Sequence, residues 1–136
     1  MKRRIRKAAV LGSGVMGSGI ACHFANIGLE VLMLDMTAEL AQQSLKKAIA
    51  SKPAPLYDKN YAQRIQVGSL KDDLSQLAEY DWIIEVVVER LDIKQQLLEQ
   101  VDAVRRKGTL ITSNTSGIPI HLMTEGRSDD FKRHFC

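Results

Sequence analysis

Three glycines near the start of the chain have the spacing of a phosphate-binding turn. Gly12-Ser13-Gly14-Val15-Met16-Gly17 follows a short apolar segment and opens a segment whose apolar residues recur at helical spacing. A turn of this kind brings backbone N–H groups close to a pyrophosphate, and the positive end of the helix dipole favours the phosphate charge. The candidate binding residues are therefore Gly12, Ser13, Gly14, Val15, Met16 and Gly17.

Asp35 makes this signal more specific. It lies 18 residues after Gly17, at the end of a predicted second strand, where a carboxylate accepts both hydrogen bonds of an adenosine ribose. A carboxylate also repels a 2′-phosphate, and the following Met36-Thr37-Ala38 contains no arginine that would attract one. The pattern predicts a dinucleotide site that prefers NAD to NADP. The alternative is an ordinary strand, turn and helix with glycines placed by chance.

Strands and helices alternate along the sequence, which predicts an α/β fold with a parallel sheet between two helical layers. The predicted strands are residues 5–11, 30–35, 64–67, 81–88 and 109–112. The predicted helices follow the glycine turn, follow Thr37 as N-cap, and cover residues 70–79 and 92–106. On the helix after Thr37, the residues predicted to share one packed face are Leu40, Ala41, Ser44, Leu45, Ala48 and Ile49. Gly28 is predicted to end the first helix in a left-handed conformation. The most apolar strand, 81–88, is expected at the centre of the sheet.

Composition excludes several classes of function. The net charge of +3 comes from a basic start, since five of the 19 Lys and Arg precede the first acid, and aromatics are only 5% of residues. We therefore expect no nucleic-acid partner. No apolar run approaches the ~18 residues of a membrane span. Cys22 and Cys136 are too isolated to suggest a disulfide framework or a metal site, and a reducing cytoplasmic location is expected.

Three segments in order along the chain resemble one known family. They are Ala9-Val10-Leu11-Gly12-Ser13-Gly14-Val15-Met16-Gly17, then Ile84-Glu85-Val86-Val87-Val88-Glu89-Arg90-Leu91-Asp92-Ile93-Lys94, then Ser113-Asn114-Thr115-Ser116. These segments resemble the NAD-binding domain of the 3-hydroxyacyl-CoA dehydrogenases. The resemblance implies a Rossmann-type, doubly wound, mostly parallel sheet over residues 1–136, truncated before its last strands and without the family's helical C-terminal domain. Lys52-Pro53-Ala54-Pro55-Leu56 further resembles the multifunctional members, in which an enoyl-CoA hydratase-like region is fused to this domain.

The resemblance also implies an activity, which is the oxidation of L-3-hydroxyacyl-CoA to 3-ketoacyl-CoA by NAD in fatty-acid β-oxidation. Glu89 and Lys94 match the residues that hold the nicotinamide-side ribose and phosphates. Ser116 matches the serine that hydrogen-bonds the 3-oxygen of the substrate, and Asn114 matches the asparagine beside the nicotinamide. Without the family, Glu89 and Lys94 are a helix-entry acid with an exposed lysine, and the segment around Ser116 is a loop and helix cap.

The end of the chain departs from the family. The family's catalytic histidine stands in a His-Phe-Phe-Asn-Pro segment preceded by glycine, whereas His134-Phe135-Cys136 is preceded two residues earlier by Lys132. Residues 131–136 are predicted to be the strand that enters this segment, with the catalytic histidine beyond Cys136. The 136 residues alone are therefore expected to be inactive, and the intact enzyme to be a homo-oligomer that binds acyl-CoA. Two alternatives stay open: an NAD-binding module without catalysis, and a related dehydrogenase of short hydroxy acids.

Overall fold

A computed structural model describes residues 5–51, 56, 59–86, 91–105, 109–113 and 128–135. The strands are β1 (Lys7–Leu11), β2 (Glu30–Asp35), β3 (Ile65–Ser69), β4 (Trp82–Glu85) and β5 (Leu110–Ser113). The α-helices are α1 (Val15–Asn26), α2 (Ala38–Ile49), α3 (Leu91–Val104) and α4 (Asp129–His134), and two short 3₁₀ helices cover Lys59–Arg64 and Leu74–Glu79. Within these residues no helix is both long and apolar enough to cross a bilayer.

The five described strands form one parallel sheet in the order β3-β2-β1-β4-β5. This confirms the predicted α/β class and the parallel sheet. The apolar segment 81–88 was expected to form a central strand, and β4 is an interior strand that pairs with β1 on one side and β5 on the other. The middle position of the five belongs to β1, four of whose five residues are buried.

Alternate residues of the strands supply two separate hydrophobic cores, one on each face of the sheet. On one face, Leu97, Leu98 and Val101 of α3 pack against β-strand residues such as Leu11 and Leu34. On the other face, Ala21, Phe24 and Ala25 of α1 and Leu45 of α2 pack against residues such as Val10 and Met33. Helices therefore cover both faces, as the doubly wound prediction requires.

The predicted caps of the first two helices are confirmed. Thr37 Oγ1 accepts a hydrogen bond from Leu40 N at 3.1 Å at the start of α2, and Gly28 has a φ of 96° just after α1. One detail of the predicted α2 face was wrong. Leu40 is 47% exposed, while Ala41 and Leu45 carry the buried side of the helix.

Most predicted element bounds are close to the structure, and β2 has the predicted bounds. Strand β1 begins at Lys7 rather than residue 5, β3 runs from Ile65 to Ser69, and β5 begins at Leu110. Strand β4 ends at Glu85, with Val87 and Val88 outside the described residues. The predicted helix over 70–79 is shorter and of the 3₁₀ type, because Asp73 Oδ2 accepts from Ser69 N at 2.8 Å and closes a turn before it.

The predicted strand over residues 131–136 was wrong over its first part, because these residues belong to α4. Asp129 and Asp130 lie in the first turn of that helix, where acidic side chains interact favourably with the positive end of the helix dipole. Arg105 Nη1, just after α3, donates to Asp130 Oδ2 at 2.6 Å and holds α4 in place. Strand pairing starts only at Phe135, which forms a parallel bridge with Ile111 of β5. Cys136 and the side chain of His134 lie outside the described part of the chain.

Candidate functional site

The candidate site lies at the edge of the sheet where the parallel strands end. Leu11 at the end of β1 is paired with Leu34 of β2 on one side and with Glu85 of β4 on the other. The connection after β1 runs to α1 and β2, while β4 and β5 lie on the opposite side of β1, so the strand order reverses here. In open α/β sheets, ligands bind at this kind of reversal point, outside the carboxyl ends of the strands.

The glycine turn leaves β1 at that point and is packed closely against β4. Gly12 has a φ of 109°, its N–H donates to Leu34 O at 2.7 Å, and a β-carbon there would lie 3.1 Å from Val86 O. A β-carbon on Gly17 would lie 2.0 Å from Gly12 O. The first and third glycines of the motif are thus required by the backbone conformation and by close packing between the turn and α1.

Gly14, the second glycine, faces open space instead. It is the N-cap residue of α1 and provides no side-chain cap, and a β-carbon on it would meet nothing within 4 Å. The amino end of α1 is therefore approachable at Gly14, as a pyrophosphate on this helix requires. Met16 in the first turn of α1 is 58% exposed, while the side chain of Val15 is outside the description. These features fit a dinucleotide.

Asp35, at the end of β2, is tied to the glycine turn by hydrogen bonds. Asp35 Oδ2 accepts from Ser13 N at 3.0 Å and from Ser13 Oγ, and Asp35 Oδ1 accepts from Met36 N at 2.7 Å. Ser13 Oγ also lies 3.1 Å from Ser44 Oγ on α2. The predicted residues Ser13 and Asp35 are therefore in contact, and the carboxylate lies beside the turn. Ser44 was expected only as part of the packed face of α2, and its hydroxyl had given no signal.

A buried ion pair joins the end of β4 to the start of α3. Lys94 Nζ is 2.7 Å from Glu85 Oε2 and 2.8 Å from Glu85 Oε1, and both side chains are fully buried. Ser113 Oγ, at the end of β5, donates to Glu85 Oε1 at 2.6 Å. Lys94 is thus held inside the protein, and its predicted contact with the cofactor stays a prediction. Glu85 was not predicted, although a single acid in an apolar strand was a usable signal.

Three further predicted site residues, Glu89, Asn114 and Ser116, lie outside the described residues. Glu89 belongs to the chain segment between β4 and α3, and Asn114 directly follows Ser113, the last residue of β5. No cluster of three or more His, Cys, Asp or Glu with metal-binding geometry occurs in the part of the chain that the structure describes.

A family model described as "3-hydroxyacyl-CoA dehydrogenase, NAD binding domain" matches residues 7–135. The chain belongs to this family. Membership confirms the family resemblance, the predicted fold and NAD as the cofactor of this domain.

Relatives of this 3-hydroxyacyl-CoA dehydrogenase domain include longer proteins. A Bacillus subtilis protein named "Probable 3-hydroxyacyl-CoA dehydrogenase" is 48% identical over 99% of this chain and 20% of its own length. A protein of the same name from Deinococcus radiodurans is 45% identical over 97% of this chain and 40% of its own length. The chain therefore spans less than half of these curated relatives.

A comparison with solved structures also finds a dehydrogenase. The crystal structure of 3-hydroxybutyryl-CoA dehydrogenase from Escherichia coli matches with a TM-score of 0.78 at 28% identity, over 94% of this chain and 28% of that one. The chain thus has the fold of part of a known dehydrogenase.

Proposed function

We propose that this domain is the NAD-binding part of an enzyme that oxidises L-3-hydroxyacyl-CoA to 3-ketoacyl-CoA in fatty-acid β-oxidation. The observation that carries the proposal is the contact between the glycine turn and Asp35 at the reversal point of the sheet. It places an open helix terminus and a ribose acceptor at the same edge. NAD, when bound, would accept the hydride from the C3 carbon of the substrate. The family membership supports this chemistry.

The glycine turn and Asp35 would hold the cofactor. Gly12, Gly14 and Gly17 shape the turn for the pyrophosphate, with Ser13, Val15 and Met16 around them, and Asp35 would accept the two hydroxyls of the adenosine ribose. A 2′-phosphate next to this carboxylate would be repelled, and NAD is therefore preferred to NADP. Glu89 and Lys94 are proposed on the nicotinamide side of the same cofactor.

Ser116 and Asn114 would act on the substrate side. They follow β5, whose end is bonded to Glu85 of β4 by Ser113. Ser116 would donate a hydrogen bond to the 3-oxygen, and Asn114 would lie beside the nicotinamide. A histidine beyond Cys136 would serve as the base. We accordingly propose that residues 1–136 bind NAD without turnover, and that a helical C-terminal domain completes the acyl-CoA site and a homo-oligomer.

The cofactor assignment is tested by thermal unfolding of the 136-residue chain with NAD and with NADP. A ligand present at about 100 times its Kd stabilises by about 2.7 kcal/mol. We expect NAD to raise Tm by several degrees and NADP to leave it unchanged. In Asp35→Asn the difference between the two nucleotides should shrink. Equal effects of NAD and NADP on the unchanged chain would contradict the role of Asp35.

The activity is tested on the complete gene product with NAD and L-3-hydroxybutyryl-CoA, by following NADH absorbance. Removing one hydrogen-bond donor to a reacting oxygen lowers kcat by about 10²-fold or more, which is the effect expected of Ser116→Ala. The matched control is Ser75→Ala, an exposed serine on the 3₁₀ helix Leu74–Glu79, which should leave kcat unchanged. NAD binding without oxidation of any 3-hydroxyacyl-CoA would instead indicate a binding module.

A further inference from the structure

The ion pair between Glu85 and Lys94 joins two elements that leave the sheet separately. Glu85 is the last residue of β4, and Lys94 is the fourth residue of α3. Both oxygens of the carboxylate bond the ammonium, at 2.7 and 2.8 Å, and neither side chain has exposed surface. The pair therefore fixes the start of α3 against the end of β4.

The same carboxylate also bonds the neighbouring strand. Glu85 and Ser113 are paired residues across β4 and β5, and Ser113 Oγ donates to Glu85 Oε1 at 2.6 Å. Ser113 is the last residue of β5, directly before Asn114. One carboxylate thus fixes both the exit of β5 and the entry of α3.

Stability alone is a weak reason for this arrangement. Burying two charges costs several kcal/mol for each ion, and apolar side chains of similar volume often replace such a pair without loss of stability. The pair also lies at the edge that carries the glycine turn, since Glu85 is the register partner of Leu11 and Val86 N donates to Leu11 O at 2.9 Å. Buried charges at such an edge are candidates for a functional role.

We infer that Glu85 is a positioning residue for the dehydrogenase reaction. Through Ser113 it sets where the chain leaves β5 towards the substrate residues Asn114 and Ser116. Through Lys94 it sets the entry of α3 on the cofactor side. The carboxylate thereby fixes the two halves of the reaction centre relative to each other. This inference rests on the proposed function.

The test uses Ser113→Ala and Glu85→Gln in the complete gene product, with NAD and L-3-hydroxybutyryl-CoA. Small displacements of reacting groups cost up to about 10²-fold in rate, and we expect Ser113→Ala to lower kcat by about tenfold or more. The Kd of Ser113→Ala for NAD should be unchanged, because the variant loses only the hydrogen bond that holds the end of β5 on the substrate side. Glu85→Gln should lower kcat and also weaken NAD binding, because it releases both sides.

A double variant tests whether the two residues act through one bond. If they do, Glu85→Gln with Ser113→Ala should lower kcat no further than Glu85→Gln alone. Effects on kcat that multiply independently would overturn the inference. If Glu85→Gln does not fold, Ser113→Ala alone decides the question through its kcat and its unchanged Kd for NAD.

Thr109→Val, directly before β5, is the matched control. Thr109 Oγ1 donates to Tyr80 O at 3.2 Å near the start of β5, so the variant also removes one buried hydrogen bond. We expect similar losses in Tm for Thr109→Val and Ser113→Ala, with a loss of kcat only in the latter. Equal Tm losses with unchanged kcat in both would show a purely structural role. An unchanged enzyme that binds NAD but oxidises no 3-hydroxyacyl-CoA would instead refute the proposed function, and the inference with it.

Discussion

The glycines of the turn and of α1 differ in what surrounds their α-carbons. Gly17 lies against the carbonyl of Gly12, whereas Gly14 and Gly19 face open space. The first contact is a packing constraint on the protein itself. The space at Gly14 is instead available to a ligand that approaches the amino end of α1. Substitution by alanine separates these roles because it adds a single carbon.

Gly17→Ala should destabilise the fold by about 3 kcal/mol or more, since a β-carbon 2.0 Å from a backbone oxygen forces the turn to move. Gly19→Ala, two residues later in the same helix, should stabilise by about 0.5–1 kcal/mol. Gly14→Ala should fold normally and bind NAD at least about tenfold more weakly, the equivalent of about 1.4 kcal/mol. Urea titration and NAD titration measure these effects, and normal stability of Gly17→Ala would contradict the close packing.

Cys22, on α1, has a buried side chain with no exposed surface, and burial raises the pKa of its thiol above the ordinary 9.0. A raised pKa leaves less thiolate at neutral pH, and the thiolate is the reactive form. In a Cys136→Ser background, iodoacetamide should therefore modify Cys22 slowly at pH 7–8, and faster as pH rises above 9. The same protein in urea is the control and should react at the ordinary rate. Fast modification of the folded protein would show that the thiol is accessible.

At the scale of helices and strands, the local sequence was sufficient to predict features that depend on one segment alone. Gly28 and Thr37 cap their helices as predicted, and β2 has the predicted bounds. The prediction failed where a distant partner decides. Residues 131–134 are helical because α4 docks on α3 through Arg105, a contact between residues 25 positions apart. Asp129 and Asp130 were a local signal for a helix start, which the prediction of a strand did not use.

The candidate site divides in the same way. The glycine turn and Asp35 were predictable because each acts through its own backbone position or strand end. The pairing of Glu85 with Lys94 and Ser113 was not, because it depends on β4, β5 and α3 meeting at one edge. The resemblance had marked Lys94 for the cofactor, but its buried partner appears only in the structure.

Arg105 provides an element-scale prediction. Its side chain is only 3% exposed and forms ion pairs with Asp130 of α4 at 2.6 Å and with Asp102 of α3 at 3.1 Å. Asp102 Oδ2 in turn accepts a hydrogen bond from Ser128 N at 3.0 Å, just before α4. Arg105→Met should cost about 1.5–3 kcal/mol from lost charged hydrogen bonds. Hydrogen exchange across residues 128–135 should accelerate most. The control is Lys132→Met, which removes an exposed charge from α4. It should change neither the unfolding free energy nor the hydrogen exchange of residues 128–135.

At the scale of the whole molecule, packing and chemistry occupy different parts of the sheet. The two faces are filled with apolar side chains from α1 and α2 on one side and from α3 on the other. Side chains of these faces are already in contact with neighbours, and the backbone of the interior strands is paired in the sheet. The glycine turn and Asp35 lie instead at the carboxyl edge of the sheet. This separation lets the core be varied without touching the proposed site.

That separation predicts how leucine-to-alanine substitutions in α2 and α3 change the free energy of unfolding and the binding of NAD. Leu98 of α3 is fully buried in one core, and Leu98→Ala should cost about 2–5 kcal/mol of unfolding free energy. Leu40 of α2 is 47% exposed, and Leu40→Ala should cost less than about 0.5 kcal/mol. In urea the midpoint of Leu98→Ala should fall with an unchanged slope. Leu98→Ala should keep the Kd for NAD of the unchanged chain, because Leu98 lies in the core under α3. A large change in that Kd for Leu98→Ala at temperatures where it stays folded would show that the core and the cofactor site are coupled.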